Sequence, residues 1–236
     1  MKNRYGIDIW SDDNFFIEDG VVKVNYKPYP SLIKIVKDVR KQGFKGPLLL
    51  RFPHITKKQV KTLFNTFNAS IKEYDYKGKF NAVFPLKVNQ LPNFIHPLVS
   101  YGKKYNYGLE AGSKAELIIA MTYNNMGSPI TINGFKDKEM IHLCFIAKSM
   151  GHDITVIIEG LNELEMILEV LKETKMEAPN VGLRVRLHSG GSGVWAKSGG
   201  IDSKFGLTST EILEAFELMQ ENELQDLLTM IHFHIF

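Results

Sequence analysis

Leu48-Leu49-Leu50-Arg51-Phe52 reads as a β-type run, and it passes straight into Pro53-His54-Ile55-Thr56-Lys57-Lys58, the start of a helical stretch, with no glycine between them. That junction separates two α/β architectures. A doubly wound open sheet normally carries a glycine-rich phosphate fingerprint after its first strand, because the backbone must approach a pyrophosphate there. A (β/α)8 barrel has no such requirement and spreads its chemistry over the C-terminal ends of several strands. The junction favours the barrel.

Downstream the chain alternates. β-type runs recur at Asn81 to Val88, Tyr105 to Leu109, Pro129 to Asn133, Ile154 to Ile158, Val181 to Leu187 and Leu228 to His234. Amphipathic stretches lie between most of them, at about residues 55–75, 91–104, 113–125, 137–150, 161–174 and 208–224. Strands that are apolar nearly throughout imply burial on both faces, hence a parallel sheet covered by helices. Polar residues gather where these runs end: Lys87 and Asn89, Glu110, Asn133, Glu159, Arg184 and Arg186, His232 and His234. With Leu48–Phe52 included there are about seven candidate strands, one short of closure. The expected fold is therefore α/β, an incomplete (β/α)8 TIM-type barrel.

Upstream, the first thirty residues differ in character. Two short apolar runs, Tyr5 to Trp10 and Gly20 to Tyr26, flank the acidic stretch Ser11-Asp12-Asp13-Asn14 and are expected to be strands joined by a tight connection. Pro28-Tyr29-Pro30 then interrupts the chain, and a helical pattern starts at Ser31. The expected organisation is a short N-terminal β segment, 1–30, followed by a barrel, 31–236.

Composition narrows the function classes. The 236 residues are 44% hydrophobic and 23% charged, which excludes wholesale disorder and fibrous architectures. No stretch approaches the ~18 to 20 apolar residues of a membrane span. The opening Met1-Lys2-Asn3-Arg4-Tyr5-Gly6-Ile7-Asp8 has no apolar core of a secretory signal. One cysteine, Cys144, excludes an intrachain disulfide framework and suits a reducing cytosol. A net charge of +3, dispersed along the chain, gives no footprint for nucleic acid. A cytoplasmic protein without membrane or nucleic-acid partners is expected.

Four features could carry chemistry. Lys87 closes an apolar run, where desolvation would make its amine a nucleophile toward a carbonyl; a strand-end lysine reaching solvent is the plainer alternative. Ser113 and Glu116 have the spacing of a capping box, which leaves Glu110 unexplained. The loop His188 to Gly200 is rich in glycine, as a phosphate cradle or a surface lid would be, but fits no nucleotide motif. His232-Phe233-His234 would put two imidazoles on one strand face; two ligands do not make a metal site, and an imidazole at a strand end can instead stack on an aromatic cofactor.

Taken in order, several segments resemble one family. Phe84-Pro85-Leu86-Lys87-Val88-Asn89-Gln90 is similar to the lysine segment of biosynthetic arginine decarboxylase, a pyridoxal-phosphate enzyme of the alanine racemase-like barrel class. Gly108-Leu109-Glu110-Ala111-Gly112-Ser113-Lys114-Ala115-Glu116-Leu117, Asn133-Gly134-Phe135-Lys136-Asp137 and Met150-Gly151-His152 resemble further blocks. So do Gly182-Leu183-Arg184-Val185-Arg186-Leu187, Gly191-Ser192-Gly193-Val194-Trp195, Ser203-Lys204-Phe205-Gly206-Leu207 and Ile231-His232-Phe233-His234.

The resemblance implies pyridoxal 5'-phosphate held covalently by Lys87, with His234 stacked on its ring. Glu110 and Glu116 would be acidic groups near the lysine and cofactor, and Arg184 an arginine at the barrel mouth, with Arg186 as the second alignment. It implies a lyase converting L-arginine to agmatine and carbon dioxide in polyamine biosynthesis, the cofactor acting as electron sink. Magnesium is implied too, with no ligand set visible. Residues 1–30 would belong to the family's β domain. The family's eighth strand, phosphate-binding serine and glycine-rich loop, pyridinium-pairing glutamate and catalytic cysteine have no counterpart before Phe236. This chain alone is therefore expected to lack decarboxylase activity, as a truncated or partner-dependent fragment, with a homo-oligomer or a completing C-terminal segment needed for turnover.

Overall fold

In a computed structural model the described residues are 6–187 and 205–234. The chain divides into two compact units, Met1–Leu63 and Phe64–Phe236.

The first unit begins with one helical turn, α1 (Ile7–Trp10), not with a strand. Gly6 enters it at φ 60°, and Asp8 lies in its first turn, where a carboxylate complements the exposed backbone N–H groups. The antiparallel pair is β1 (Phe15–Glu18) and β2 (Val21–Val24): β2 falls within the expected run Gly20 to Tyr26, and β1, after the acidic stretch, takes the place expected of Tyr5 to Trp10. Its turn is Asp19-Gly20, both at positive φ (51° and 74°), which is the geometry a two-residue hairpin needs to match strand twist. Ser31 accepts from the Lys34 amide and opens α2 (Leu32–Lys41), where the pattern places a helix start. Leu48–Phe52 forms no strand: it has no regular secondary structure and no ladder partner among the described residues, and Leu49 is 75% exposed. An apolar run becomes a strand only when a neighbour takes its backbone hydrogen bonds. Pro53 then begins α3 (Pro53–Glu73), which crosses the division between the units.

The second unit holds six parallel strands in sequence order: β3 (Val83–Pro85), β4 (Gly108–Ala111), β5 (Pro129–Ile132), β6 (Asp153–Ile158), β7 (Asn180–Arg184) and β8 (Leu228–His232). The connecting helices are α4 (Pro92–Gly102), α5 (Lys114–Tyr123), α6 (Lys138–Ser149), α7 (Leu161–Thr174) and α8 (Ser209–Glu221). The fold is α/β, an incomplete barrel with six strands where seven runs had strand character; the difference is Leu48–Phe52. Side-chain alternation explains the layering. Leu109, Ala111, Ile130, Ile132, Ile154, Val156, Ile158, Val181 and Leu183 join Leu117, Ile141, Phe145, Leu164 and Ile167 from the helices in one core. Each such Val, Leu, Ile or Phe side chain contributes about 1.5–3 kcal/mol by leaving water. The opposite strand positions are polar or small at Glu110, Thr131, Thr155 and Gly182, with the buried Ile157 as an apolar exception.

The part of α3 within this unit is fixed by rings. Phe64 stacks on Tyr105 at 4.7 Å between centroids, and Phe67 stacks on Phe80 at 3.9 Å. Cys144, on α6, is fully buried, and burial pushes its thiol up to about 12. No helix of the described residues is long and apolar enough to cross a membrane.

Candidate functional site

In a parallel sheet every C-terminal strand end turns toward the N-terminus of the next helix, so residues just past the strands share one edge. Lys87 lies there, on the turn that follows β3, immediately after the fully buried Leu86. Its side chain is exposed, not sunk in an apolar setting. Glu110 is half-buried in β4, and its backbone carbonyl accepts from the Leu86 amide, joining it to the lysine turn at 3.0 Å. Asn133, past β5, donates to Glu110 Oε2 at 3.4 Å. Arg184 ends β7 and pairs with Glu159, past β6, at 3.0 Å, the two side chains only 13% and 17% exposed. Its guanidinium also lies 5.2 Å from the Phe205 ring centroid. Arg186 instead donates twice to the Gly206 carbonyl, at 3.2 and 3.0 Å.

The histidines connect these groups electrostatically. His232 ends β8, and His234 follows beyond the strand. Partial burial holds the His234 imidazole below its usual value; the positive charges of Arg184 and Lys87 act in the same direction and Glu110 opposes them. Four of the five sequence-derived candidates, Lys87, Glu110, Arg184 and His234, therefore lie in one electrostatic neighbourhood. His232 is depressed in the same way, by burial first and then by Arg184, and its Nδ1 is buried without a hydrogen-bond partner. Among the described residues no group of three or more His, Cys, Asp or Glu could hold a metal ion. The glycine-rich loop His188–Gly200, with Ser203 and Lys204, lies outside the described residues.

Glu116, the fifth candidate, has a different place. It is the third residue of α5 and is buried, with one carboxylate oxygen accepting from the Gly112 amide and the other from Gln90 Nε2, both at 2.7 Å. Ser113 Oγ accepts from the Glu116 amide as the spacing suggests, but the returning carboxylate reaches one residue further back than a capping box requires. Gln90 belongs to the segment that follows Lys87, so Glu116 ties the lysine turn to the turn after β4.

Sequence reasoning left out a second such residue. Glu163 is likewise third in α7; it accepts from the Glu159 amide at 2.8 Å and pairs at 3.0 Å with Lys136, whose side chain is completely buried. Burial raises the Glu163 carboxyl above its usual value while the Lys136 charge opposes that rise. The available signal was the glutamate at the third helical position, which α5, α7 and α8 share.

The donor set suits an aldehyde-bearing aromatic anion: an accessible primary amine, an imidazole held neutral, a guanidinium and a carboxylate. Comparisons with known proteins agree. Residues 58–236 match the family model described as pyridoxal-dependent decarboxylase, pyridoxal binding domain. The chain is 40% identical over 239 residues to a biosynthetic arginine decarboxylase of Bacteroides thetaiotaomicron, covering 99% of this chain and 38% of that protein. A counterpart from Geotalea daltonii is 42% identical over 237 residues, covering 98% and 37%. Among solved structures, the biosynthetic arginine decarboxylase of Campylobacter jejuni superposes with a TM-score of 0.89 at 57% identity, covering 98% of this chain and 37% of that one. Diaminopimelate decarboxylase from M. jannaschii has the same fold at 22% identity and a TM-score of 0.69, covering 95% and 48%. The chain spans somewhat more than a third of the length of the curated relatives it matches.

Proposed function

We propose, since the chain belongs to the pyridoxal-dependent decarboxylases and matches their pyridoxal-binding domain, that it is the N-terminal, cofactor-holding part of an enzyme that converts L-arginine to agmatine and carbon dioxide. The observation that carries this reading is the gathering of Lys87, Glu110, Arg184 and His234 at the C-terminal ends of β3, β4, β7 and β8, with the Glu110 carbonyl bonded to the lysine turn and Arg184 in register with His232. In it Lys87 would hold pyridoxal 5'-phosphate through its amine, which its exposed position leaves open to an aldehyde. His234, kept neutral, would offer a flat face to the ring without adding a third cation to those of Lys87 and Arg184. Glu110 balances the two cations, and Arg184, anchored on Glu159, fixes the far side of the site. Glu116 acts through Gln90 and Gly112, holding the turn on which Lys87 sits. When bound, pyridoxal phosphate supplies the electron sink for the carbanion left as carbon dioxide departs.

Arginine as substrate rests on the names of the relatives, and the product agmatine would enter putrescine and spermidine synthesis. The same reading places the protein in the cytoplasm, assigns residues 1–30 to a β domain and 31–236 to the barrel, and asks for a completing C-terminal segment or a homo-oligomer for turnover. Magnesium enters only through the resemblance.

The test is chemical. Purified chain incubated with pyridoxal phosphate and reduced with borohydride should yield one labelled peptide, carrying the modification on Lys87. A label spread over many lysines, or none, would reject the cofactor assignment. Agmatine formation from arginine by the enzyme that contains this chain tests the substrate.

A further inference from the structure

The two buried glutamates of α5 and α7 do the same thing at different places. Each stands third in its helix, each gives one oxygen to a backbone amide just before that helix, and each gives the other to the turn of the preceding strand. Glu116 thereby joins the turns after β3 and β4, and Glu163 joins those after β5 and β6. The two halves meet through glycine: a Cβ placed on Gly134 would lie 2.6 Å from the Gly112 carbonyl oxygen, so those two turns are packed backbone to backbone. Lys136 closes the line, because its ammonium also donates to the Gly134 carbonyl. One continuous chain of ties thus runs from Gln90 through Glu116, Gly112, Gly134, Lys136 and Glu163 to Glu159, and ends on Arg184.

We propose that Lys136 and Glu163 are positioning residues: their buried pair fixes the Glu159 peptide against the Gly134 turn and so holds Arg184 at the edge that carries Lys87 and His234. The alternative is a pair that contributes only to folding, and energetics argue against it. A buried ion pair loses the hydration of both charges, and a packed apolar pair of the same volume is often as stable. What an apolar pair could not supply is the acceptor for the Glu159 amide or the donor for the Gly134 carbonyl. The consequence for the cofactor rests on the reading of Arg184 given above; the consequence for Arg184 itself does not.

The test uses the whole chain. The double variant Lys136→Met/Glu163→Leu removes both charges and both ties while keeping the volume filled, and Glu163→Gln removes the charge but keeps an acceptor. Two readouts are followed in samples shown to be folded: rotation of the Arg184 guanidinium by nitrogen-15 NMR, and affinity for pyridoxal phosphate by absorbance. The double variant should free Arg184 rotation and weaken cofactor binding by roughly ten- to a hundredfold, the scale on which misplaced supporting groups act. Glu163→Gln should fall between it and the parent, and decides the matter by the same readouts if the double variant does not fold. Wild-type rotation and affinity in a folded variant would overturn the proposal. An Arg184 response in a protein whose parent binds no pyridoxal phosphate would keep the positioning role and reject the cofactor reading.

Discussion

The two edges of the parallel sheet are built from the same strands and differ in how much charge they hold and how it is tied. At the C-terminal edge, charged side chains are tied to one another and to backbone amides from β4 to β7. At the N-terminal edge a cleft of about 360 Å3 is lined mainly by small uncharged groups, among them Asn81, Asn106, Thr155, Asn180 and Thr229, with Lys79 and Asp153 its only charges among the described residues. Thr131, which also faces that cleft, has a buried hydroxyl with no hydrogen-bond partner. The contrast comes from the direction of the chain. Strand ends that lead into helix N-termini meet unsatisfied amides, which recruit carboxylates, and those carboxylates recruit cations. Function accumulates where the backbone already asks for charge.

The largest expected effect that would break this comparison is at Lys87. Lys87→Ala should abolish covalent capture of pyridoxal phosphate while leaving the melting temperature unchanged, since the side chain is exposed; Lys79→Ala at the other edge should change neither. Borohydride trapping with peptide mass analysis checks both. Next comes Gly134→Ala, whose added methyl meets the Gly112 backbone. It should destabilise the protein by about 1–3 kcal/mol, the cost of overpacking a filled site, and weaken cofactor binding besides. Urea unfolding measures the first effect, and an unchanged midpoint would mean that the two turns do not abut.

Acidification is a smaller lever. His152, His232 and His234 all have folded values below the ordinary imidazole value of ~6.5. The unfolded chain therefore binds protons first, so their contribution is complete above ~6.5 and is lost as pH falls through the folded values. Glu163, raised by burial, works in the opposite sense: its contribution is present below the ordinary glutamate value of ~4.3 and is lost as pH rises through its folded value. Melting temperature should decline below neutral pH, and His232→Asn should flatten the decline. The smallest effect belongs to Thr131→Val. It removes an unpartnered hydroxyl and should leave stability within about 1 kcal/mol of the parent or slightly above it, with cofactor binding unaltered.

Much of this architecture is written locally. The amphipathic stretch 161–174 is α7 residue for residue, and the end of each downstream apolar run marks the edge where Lys87, Glu110, Arg184 and His234 lie. Those signals survive in one dimension because burial sets their period and a strand end is a change of polarity. Leu48–Phe52 was misread because its pattern lacks nothing a strand needs except a neighbour, and a neighbour is not a local property. Tyr5 to Trp10, which holds α1, was misread for a related reason: so short a run cannot separate a period of two from one of 3.6. The role of Glu116 and the pair of Lys136 with Glu163 needed three dimensions, since their partners stand on adjacent turns that only the folded sheet brings together.

Cys144 has a use of its own. It is the one thiol in the chain, wholly enclosed in the α6 core, and protonated at any ordinary pH. An alkylating reagent can reach it only in molecules whose core has opened, so the rate of its modification is a clock for that opening. The protein carries, at a single atom, its own gauge of how often the core comes apart.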